Sequence, residues 1–213
     1  MKRLLIFIYL FPSVLIYAQV DVTAAMGIAF VNNSSIKDYI NANFPSDQEL
    51  GTFNSSFDLS LEADYTVSEN FELGLEYVYN IFAYTTSILG GYGVYDLSYK
   101  HHKPSVLAYY VIPGAGYKFK FGGGIGYRLV DLDEKIFRTI NYTATGFGFL
   151  LRVQGLTTLG GNFYANLGGS FRYDLPGKVS SGNSSESGNS LEEFNVNVDS
   201  VVFSVNIGVT YSF

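Results

Sequence analysis

Two sets of side chains have the types and spacing from which chemistry can be built. The first is a series of charges at alternate positions. Asp58, Glu62 and Asp64 are followed by Glu72 and Glu76, and later by Lys118, Lys120, Arg128, Arg152 and Arg172. Each sits in a stretch where apolar residues take the intervening positions, so the charges share one face of an extended chain. The acids come early and the bases late. If those faces converge, the chemistry is ion pairing in a confined space, where breaking one buried pair costs about 3–5 kcal/mol.

The second set is His101, His102, Ser105 and Asp96. A serine nucleophile needs a base within hydrogen-bond reach, held in turn by a third group. The spacing here matches no such arrangement, and two adjacent histidines beside Lys103-Pro104 read as solvated loop residues. No catalytic residue is assigned. Two histidines and no cysteine leave little for a metal site and exclude disulfides and thiolate chemistry. No metal, no cofactor and no enzyme activity is expected. Gly122-Gly123-Gly124-x-Gly126 lacks the Lys-Ser/Thr and the following helix of a phosphate-binding loop, and reads as close strand packing or a bend.

The elements that must position these charges are strands. From Val201 to Phe213 every odd position is apolar, namely Val201, Phe203, Val205, Ile207, Val209, Tyr211 and Phe213. Phe57, Leu59, Leu61, Ala63 and Tyr65 alternate with Asp58, Ser60, Glu62 and Asp64. After the turn Thr66–Asn70, Phe71, Leu73, Leu75, Tyr77 and Tyr79 repeat the apolar face, and together the two stretches read as a hairpin. Phe119 to Leu129, Phe147 to Val153 and Phe163 to Leu175 carry the same period of two, and Val20–Val31 makes a first strand. The phase of Pro104–Ile112 cannot be fixed from the pattern. The sum is eight strands with alternating connections. Asn32–Ser55, the 83–103 region and Pro176–Glu193 are long, Val130–Thr139 is a charged loop, and Thr66–Asn70, Pro113–Tyr117 and Leu159–Asn162 are short. Ser34 to Ile40 reads as a short capped helix with Ile36, Tyr39 and Ile40 on one face, a loop helix with no ligand role, the alternative being a cover or plug for one end.

Composition agrees. Among 213 residues there are 18 Tyr, 18 Phe, 23 Gly and no Trp, a mix that suits short strands better than helices. The net charge of −6 argues against a nucleic-acid partner. Lys2-Arg3 followed by the apolar run Leu4 to Tyr17 is too short for a spanning helix and reads as a secretory signal peptide, residues 1–18, ahead of a single domain over residues 19–213.

An apolar face this regular is satisfied either by a packed core or by lipid. The aromatic terminal strand, with Val209, Tyr211 and Phe213 at alternate positions, resembles the assembly signal of bacterial outer-membrane β-barrels. Over residues 19–213 the pattern resembles the small eight-stranded outer-membrane proteins of the OmpA transmembrane domain, OmpX and OmpW type. That resemblance implies an all-β fold, an eight-stranded antiparallel up-and-down transmembrane barrel, in the outer membrane of a Gram-negative bacterium. It implies outer-membrane lipid, lipopolysaccharide and the barrel-assembly machinery as partners of a monomer.

Such a barrel is just wide enough for side chains to fill it. The inward charges then form a closed polar core, and the role falls to the outer loops, with Tyr84, Tyr92, Tyr95 and Tyr99 as contact or interface residues. A narrow path for ions or small solutes is the alternative, and a lipid-modifying enzyme a remote one.

Overall fold

The computed structural model describes residues 19–44, 51, 54–88, 93–136, 138–181 and 191–213. The expected signal peptide, Tyr92 and the serine-rich centre of the last long connection lie outside the described residues. The strands are β1 (Val20–Asn32), β2 (Asn54–Ser68), β3 (Phe71–Ile88), β4 (Gly93–Gly114), β5 (Tyr117–Lys135), β6 (Thr139–Gly160), β7 (Phe163–Leu175), the two-residue β8 (Ser180–Ser181) and β9 (Ser200–Ser212). One helix, α1 (Ser34–Asn43), follows β1.

Each long strand pairs antiparallel with the next, β7 pairs with β9, and β9 pairs back onto β1. The result is a closed ring of eight strands, in which each long strand has a partner on both sides along the band. β8 pairs only with the end of β6 at Tyr142 and Thr143. At the short-turn end the chain reverses at Glu69-Asn70, Ala115-Gly116 and Gly161-Asn162. Gly116 (φ 80°) and Gly161 (φ 55°) supply the left-handed backbone that two of these turns need.

Alternation decides which face meets what. Leu75, Ile125, Leu151 and Ile207 are all more than 60% exposed, although they lie mid-strand. Glu76, Arg152 and Arg172, on the opposite face, are 3% exposed or less. A soluble protein would show the reverse. Aromatics edge this apolar band at both ends. Phe163 and Tyr211 (centroids 4.9 Å apart) and Tyr211 and Phe213 (4.6 Å) meet near the short turns. Tyr127 and Phe147 (5.6 Å) lie toward the other end.

Beyond the band, polarity inverts. On β5, Leu129 is the last outward apolar residue, after which Asp131 and Asp133 point outward while Val130 and Leu132 are buried. β4 does the same, with Tyr95, Leu97 and Tyr99 turned inward. Residues 130–139, expected to form a charged loop, are therefore mostly strand: β5 and β6 stay paired up to Lys135↔Thr139. The inversion is that of a protein leaving lipid for water. Lipid wants apolar groups outside, and water wants them inside.

The β1–β9 seam is lined with small residues. A Cβ on Gly27 would meet the Val205 carbonyl and Asn206, and one on Gly208 would meet Ala24 and Ala25. The glycines of β5 serve a similar end. The Tyr109 ring lies where a side chain at Gly122 would stand, so the run is extended strand under close cover, as expected from the missing phosphate-loop residues.

Candidate functional site: a paired lumen under a dry cap

The alternation of β2, β3, β5, β6 and β7 aims their charges at one axis, and a narrow barrel brings them into contact. Near the short turns Lys118 Nζ donates to Asp21 Oδ2 at 2.8 Å. Next, Lys120 pairs with Asp64 and with Glu72 Oε2 (2.7 Å), and lies 4.8 Å from the centre of the Tyr109 ring. Glu62 accepts from Tyr109 Oη (2.8 Å) and from Gln154 Nε2 (3.1 Å), and faces Arg152 Nη1 (3.1 Å). Arg152 also pairs with Glu76, whose two oxygens accept from Arg172 Nη2 at 2.8 and 2.9 Å. Asp58 accepts from Asn80 Nδ2 at 2.6 Å. Highest in the column, Asp174 holds both Arg128 and Lys103 Nζ (3.0 Å).

β2 and β3 thus stand across the lumen from β5, β6 and β7, the pairing that the strand-by-strand separation of acids and bases suggests. Asp21, Lys103 and Asp174 complete the network without having been singled out from the sequence. Asp174 lies on the expected inward face of β7, and its charge was the available signal. Lys103 falls in the 83–103 region, expected to be a long connection, most of which is strand, with β3 running to Ile88 and β4 starting at Gly93. The phase of Pro104–Ile112, left open by the pattern, is set here: Lys103, Ser105, Leu107, Tyr109 and Val111 are buried, while Val106, Tyr110 and Ile112 are exposed. Pairing of β4 with β5 lapses at Lys103-Pro104, where proline has no N–H to give. The Arg128 side chain stitches the lapse, donating through Nη1 to the Tyr127 carbonyl (3.0 Å) and Ser105 Oγ (3.2 Å).

The histidines are not loop residues. Both lie in β4, on opposite faces. His101 is 1% exposed and shares a hydrogen bond with Tyr99 Oη (3.0 Å). His102 faces outward, where its Nδ1 shares a hydrogen bond with Tyr77 Oη at 2.6 Å, and its Nε2 lies 3.5 Å from Asp131 Oδ2. Ser105 is inside the barrel, bonded to Arg128, so the structure does not bring it together with His102. Asp96 lies further up β4, opposite Lys135.

Above the charge column the lumen ends in an apolar plug. Asn33 caps α1 by accepting from the Ile36 N–H at 2.9 Å, and spacing of three and four puts Ile36, Tyr39 and Ile40 on the inward face. They pack with Phe44, Tyr95, Leu97, Leu132, Tyr142, Leu191, Val196 and Val198. Phe44 stacks on Tyr95 with ring centres 3.8 Å apart. The 191–199 segment is tied down by Asn197 N–H donating to Ser35 Oγ (3.0 Å). Of the tyrosines expected on outer loops, Tyr95 and Tyr99 are buried here instead, and Tyr84 packs against the same cluster.

One carboxylate sits in this plug. Glu134, 2% exposed, accepts from Tyr39 on α1 (2.7 Å), Tyr95 on β4 (3.2 Å) and Tyr142 on β6 (3.2 Å). Burial pushes its pKa above the usual carboxylate range, and the three phenols and the Leu191 N–H only partly offset that. Burial and Glu134 together push the Tyr39 and Tyr95 hydroxyls up, so both stay protonated as donors. With its pKa raised in the capped state, Glu134 binds a proton more tightly there than when the cap is open. The cap's share of stability is therefore full below the ordinary carboxylate pKa and is lost as pH rises through the raised one. Hydrogen exchange of the α1 amides, corrected for intrinsic rates, should accelerate on going from acid to neutral pH. In Glu134→Gln the corrected rates should stay flat, because the amide still accepts but carries no charge.

Val209, Tyr211 and Phe213, the expected assembly signal, lie at the short-turn end, with Val209 and Phe213 outward and Tyr211 between the Phe163 and Phe213 rings.

No family model matches the sequence, and no curated protein matches it. Solved structures do. Ail, the attachment invasion locus protein of Yersinia pestis, is similar at a TM-score of 0.56 and 12% identity, covering 92% of this chain and 99% of Ail. It has also been solved with the heparin analogue sucrose octasulfate. Neisserial surface protein A gives a TM-score of 0.54 at 14% identity, covering 91% of this chain and 97% of that one. The outer-membrane protease OmpT of Escherichia coli gives 0.50 at 9%, covering 92% and 97%. The fold is that of small outer-membrane β-barrels of the OmpA and OmpX kind.

Proposed function

We propose that this chain is a non-conducting, non-catalytic outer-membrane barrel that acts as a rigid pedestal for a surface-interaction face at its capped end. The observation that carries this reading is the plug itself. A polar lumen filled by its own ion pairs ends beneath an apolar cluster built from α1, three extended strands and the 191–199 segment. A conduit has no use for a dry core across its mouth, whereas a platform for partners needs one. The capped end is acidic. Among the described residues, Asp38, Asp96, Asp131, Asp133, Glu192, Glu193 and Asp199 stand there against Lys37, Lys100, Lys135, Arg138 and Lys178. A partner steered to this face is cationic, unlike the polyanion bound by Ail.

Planar-bilayer recording on folded protein tests the reading. The expected result is no steady conductance at neutral pH. Reproducible single-channel steps that vary with solute size would replace this reading by the narrow channel, with the lumen charges as its filter.

A further inference from the structure

Where the apolar band ends, the wall of the barrel forks. β2 stays paired with β1 up to Asn54↔Val31, but its pairing with β3 ends at Phe57↔Ile81, and β3 runs on to Ile88. A cavity of about 30 Å³ lies in this fork, beside the first turn of α1, with room for about two waters. Val31, Ile36, Phe82 and the Tyr99 ring make its walls apolar, and half-buried Asn54 stands at its rim. Asn33 and Asn80 also line it, both more than nine-tenths buried. Each amide has one atom engaged and one without a partner. Asn33 Oδ1 caps α1 by accepting from the Ile36 N–H, which leaves Nδ2, a donor, unanswered. Asn80 Nδ2 donates to Ser56 Oγ (2.7 Å) and Asp58 Oδ1 (2.6 Å), which leaves Oδ1, an acceptor, unanswered. These bonds fix both amides against a flip. The cavity thus offers one buried donor, one buried acceptor and apolar walls.

We propose that this cavity is a socket for the acetamido group of a 2-acetamido sugar. The sugar's C=O accepts from Asn33 Nδ2, its N–H donates to Asn80 Oδ1, and its methyl enters between Ile36, Phe82 and Tyr99. Other small groups answer the site less completely. A carboxylate has no N–H for Asn80, and a primary carboxamide brings a second N–H with nothing to receive it. A buried amide atom left unpaired forfeits its full desolvation cost, so the complete match selects the ligand. The position favours a sugar over an acetylated peptide side chain. At the fork the outward face of β2 passes from Phe57 to Ser55, the level at which hydrocarbon gives way to the sugars of the leaflet. The Asn54 amide at the rim stands where ring hydroxyls would lie. The socket names a ligand class for the surface-interaction face at the capped end and rests on that reading. Such sugars reach this level from two sources, the lipopolysaccharide of the same leaflet and free surface glycans.

Saturation-transfer NMR with methyl N-acetylglucosaminide tests the socket, on protein in deuterated detergent that is folded as judged by heat-modifiable mobility. We expect saturable binding, with the acetyl methyl the most strongly saturated group of the sugar. The 2-O-acetyl ester, which lacks the N–H, should bind about five-fold more weakly, the factor for one hydrogen bond. Asn33→Asp should weaken the amide sugar by a similar factor, because a carboxylate caps α1 as well as an amide does but donates nothing. Val31→Leu, which adds a methylene to the wall, should abolish binding. The ester comparison needs no variant, so a variant that fails to fold leaves the test intact. Absence of saturable binding means that the cavity holds water only, and overturns the proposal. Equal affinity for ester and amide, or wild-type affinity in folded Asn33→Asp, overturns the roles of the two asparagines and the proposal with them. N-acetyl-lysine binding as tightly as the sugar overturns the sugar class. Nanodiscs carrying lipopolysaccharide with an acetamido core sugar separate the sources. Loss of the free-sugar signal there assigns the socket to the leaflet's own glycan, and an unchanged signal assigns it to free glycans. Conductance in the bilayer recording would sink the pedestal reading and leave the sugar titration untouched, so the two fail separately.

Discussion

Glu76→Gln lowers the unfolding free energy of the barrel in lipid vesicles by about 3–5 kcal/mol, the cost of breaking a buried pair from one side. Glu76 holds two arginines at once, taking both hydrogen bonds from Arg172 Nη2 and pairing with Arg152. All three residues are nearly inaccessible, so water cannot replace the lost charge. An amide there takes from Arg172 the carboxylate that holds its Nη2, and leaves Arg152 to Glu62, which already serves Tyr109 and Gln154. Urea titration followed by electrophoretic mobility reads the change. Removing a cation in the same protein, as in Glu76→Gln with Arg172→Leu, should recover part of the loss, because neighbouring sites in one network do not add. A double variant whose loss equals the sum of the single losses would mean that Arg172 and Glu76 are not energetically coupled.

Ile40→Asp should open the mouth and leave the barrel standing. Ile40 is fully buried at the centre of the plug. Losing its packing costs about 2–5 kcal/mol, and an unpaired carboxylate adds several more unless it reaches water. Lifting α1 relieves both at once, since the helix is held by Tyr39, Ile36, Phe44 and the Ser35 contact and not by the barrel ladder. Trypsin cleavage after Lys37 should then quicken by an order of magnitude or more, at a rise of about 1.4 kcal/mol per factor of ten in the open population. The heat-modifiable mobility of the barrel should persist. Loss of that mobility together with the cap would show that plug and barrel fold as one unit.

What the sequence made legible follows from where the two solvents differ. On β2, β3, β5, β7 and β9, hydrocarbon on one side and a charged lumen on the other impose opposite demands, so residues such as Leu61 and Glu62 give the phase away. β4 offers no such contrast within the band. Its inward Leu107, Tyr109 and Val111 fill the space left by glycines on β5, and both faces read as apolar. Above the band the difficulty is inversion rather than loss. Val130, Leu132 and Tyr95 face in while Asp131 and Asp133 face out, so a pattern read with one fixed rule sees a charged loop where strands continue. The helix was legible because its cap and its three-four spacing are local. That Tyr39 would reach Glu134, 95 positions away, is a property of closure, which no local spacing encodes.

The small-residue seam has a kinetic consequence. Every other pairing in the ring joins long strands that follow one another along the chain, over connections far shorter than the chain itself. The β1–β9 pairing joins Asp21 to Ser212, nearly the full length apart. Loop-closure entropy must be met before that contact returns anything, so ring closure is the last and slowest step of folding. Gly27, Ala25 and Gly208 let the two late-arriving backbones approach without a side chain to rearrange. A bulky residue at Gly208 would therefore slow ring closure more than it slows any earlier hairpin.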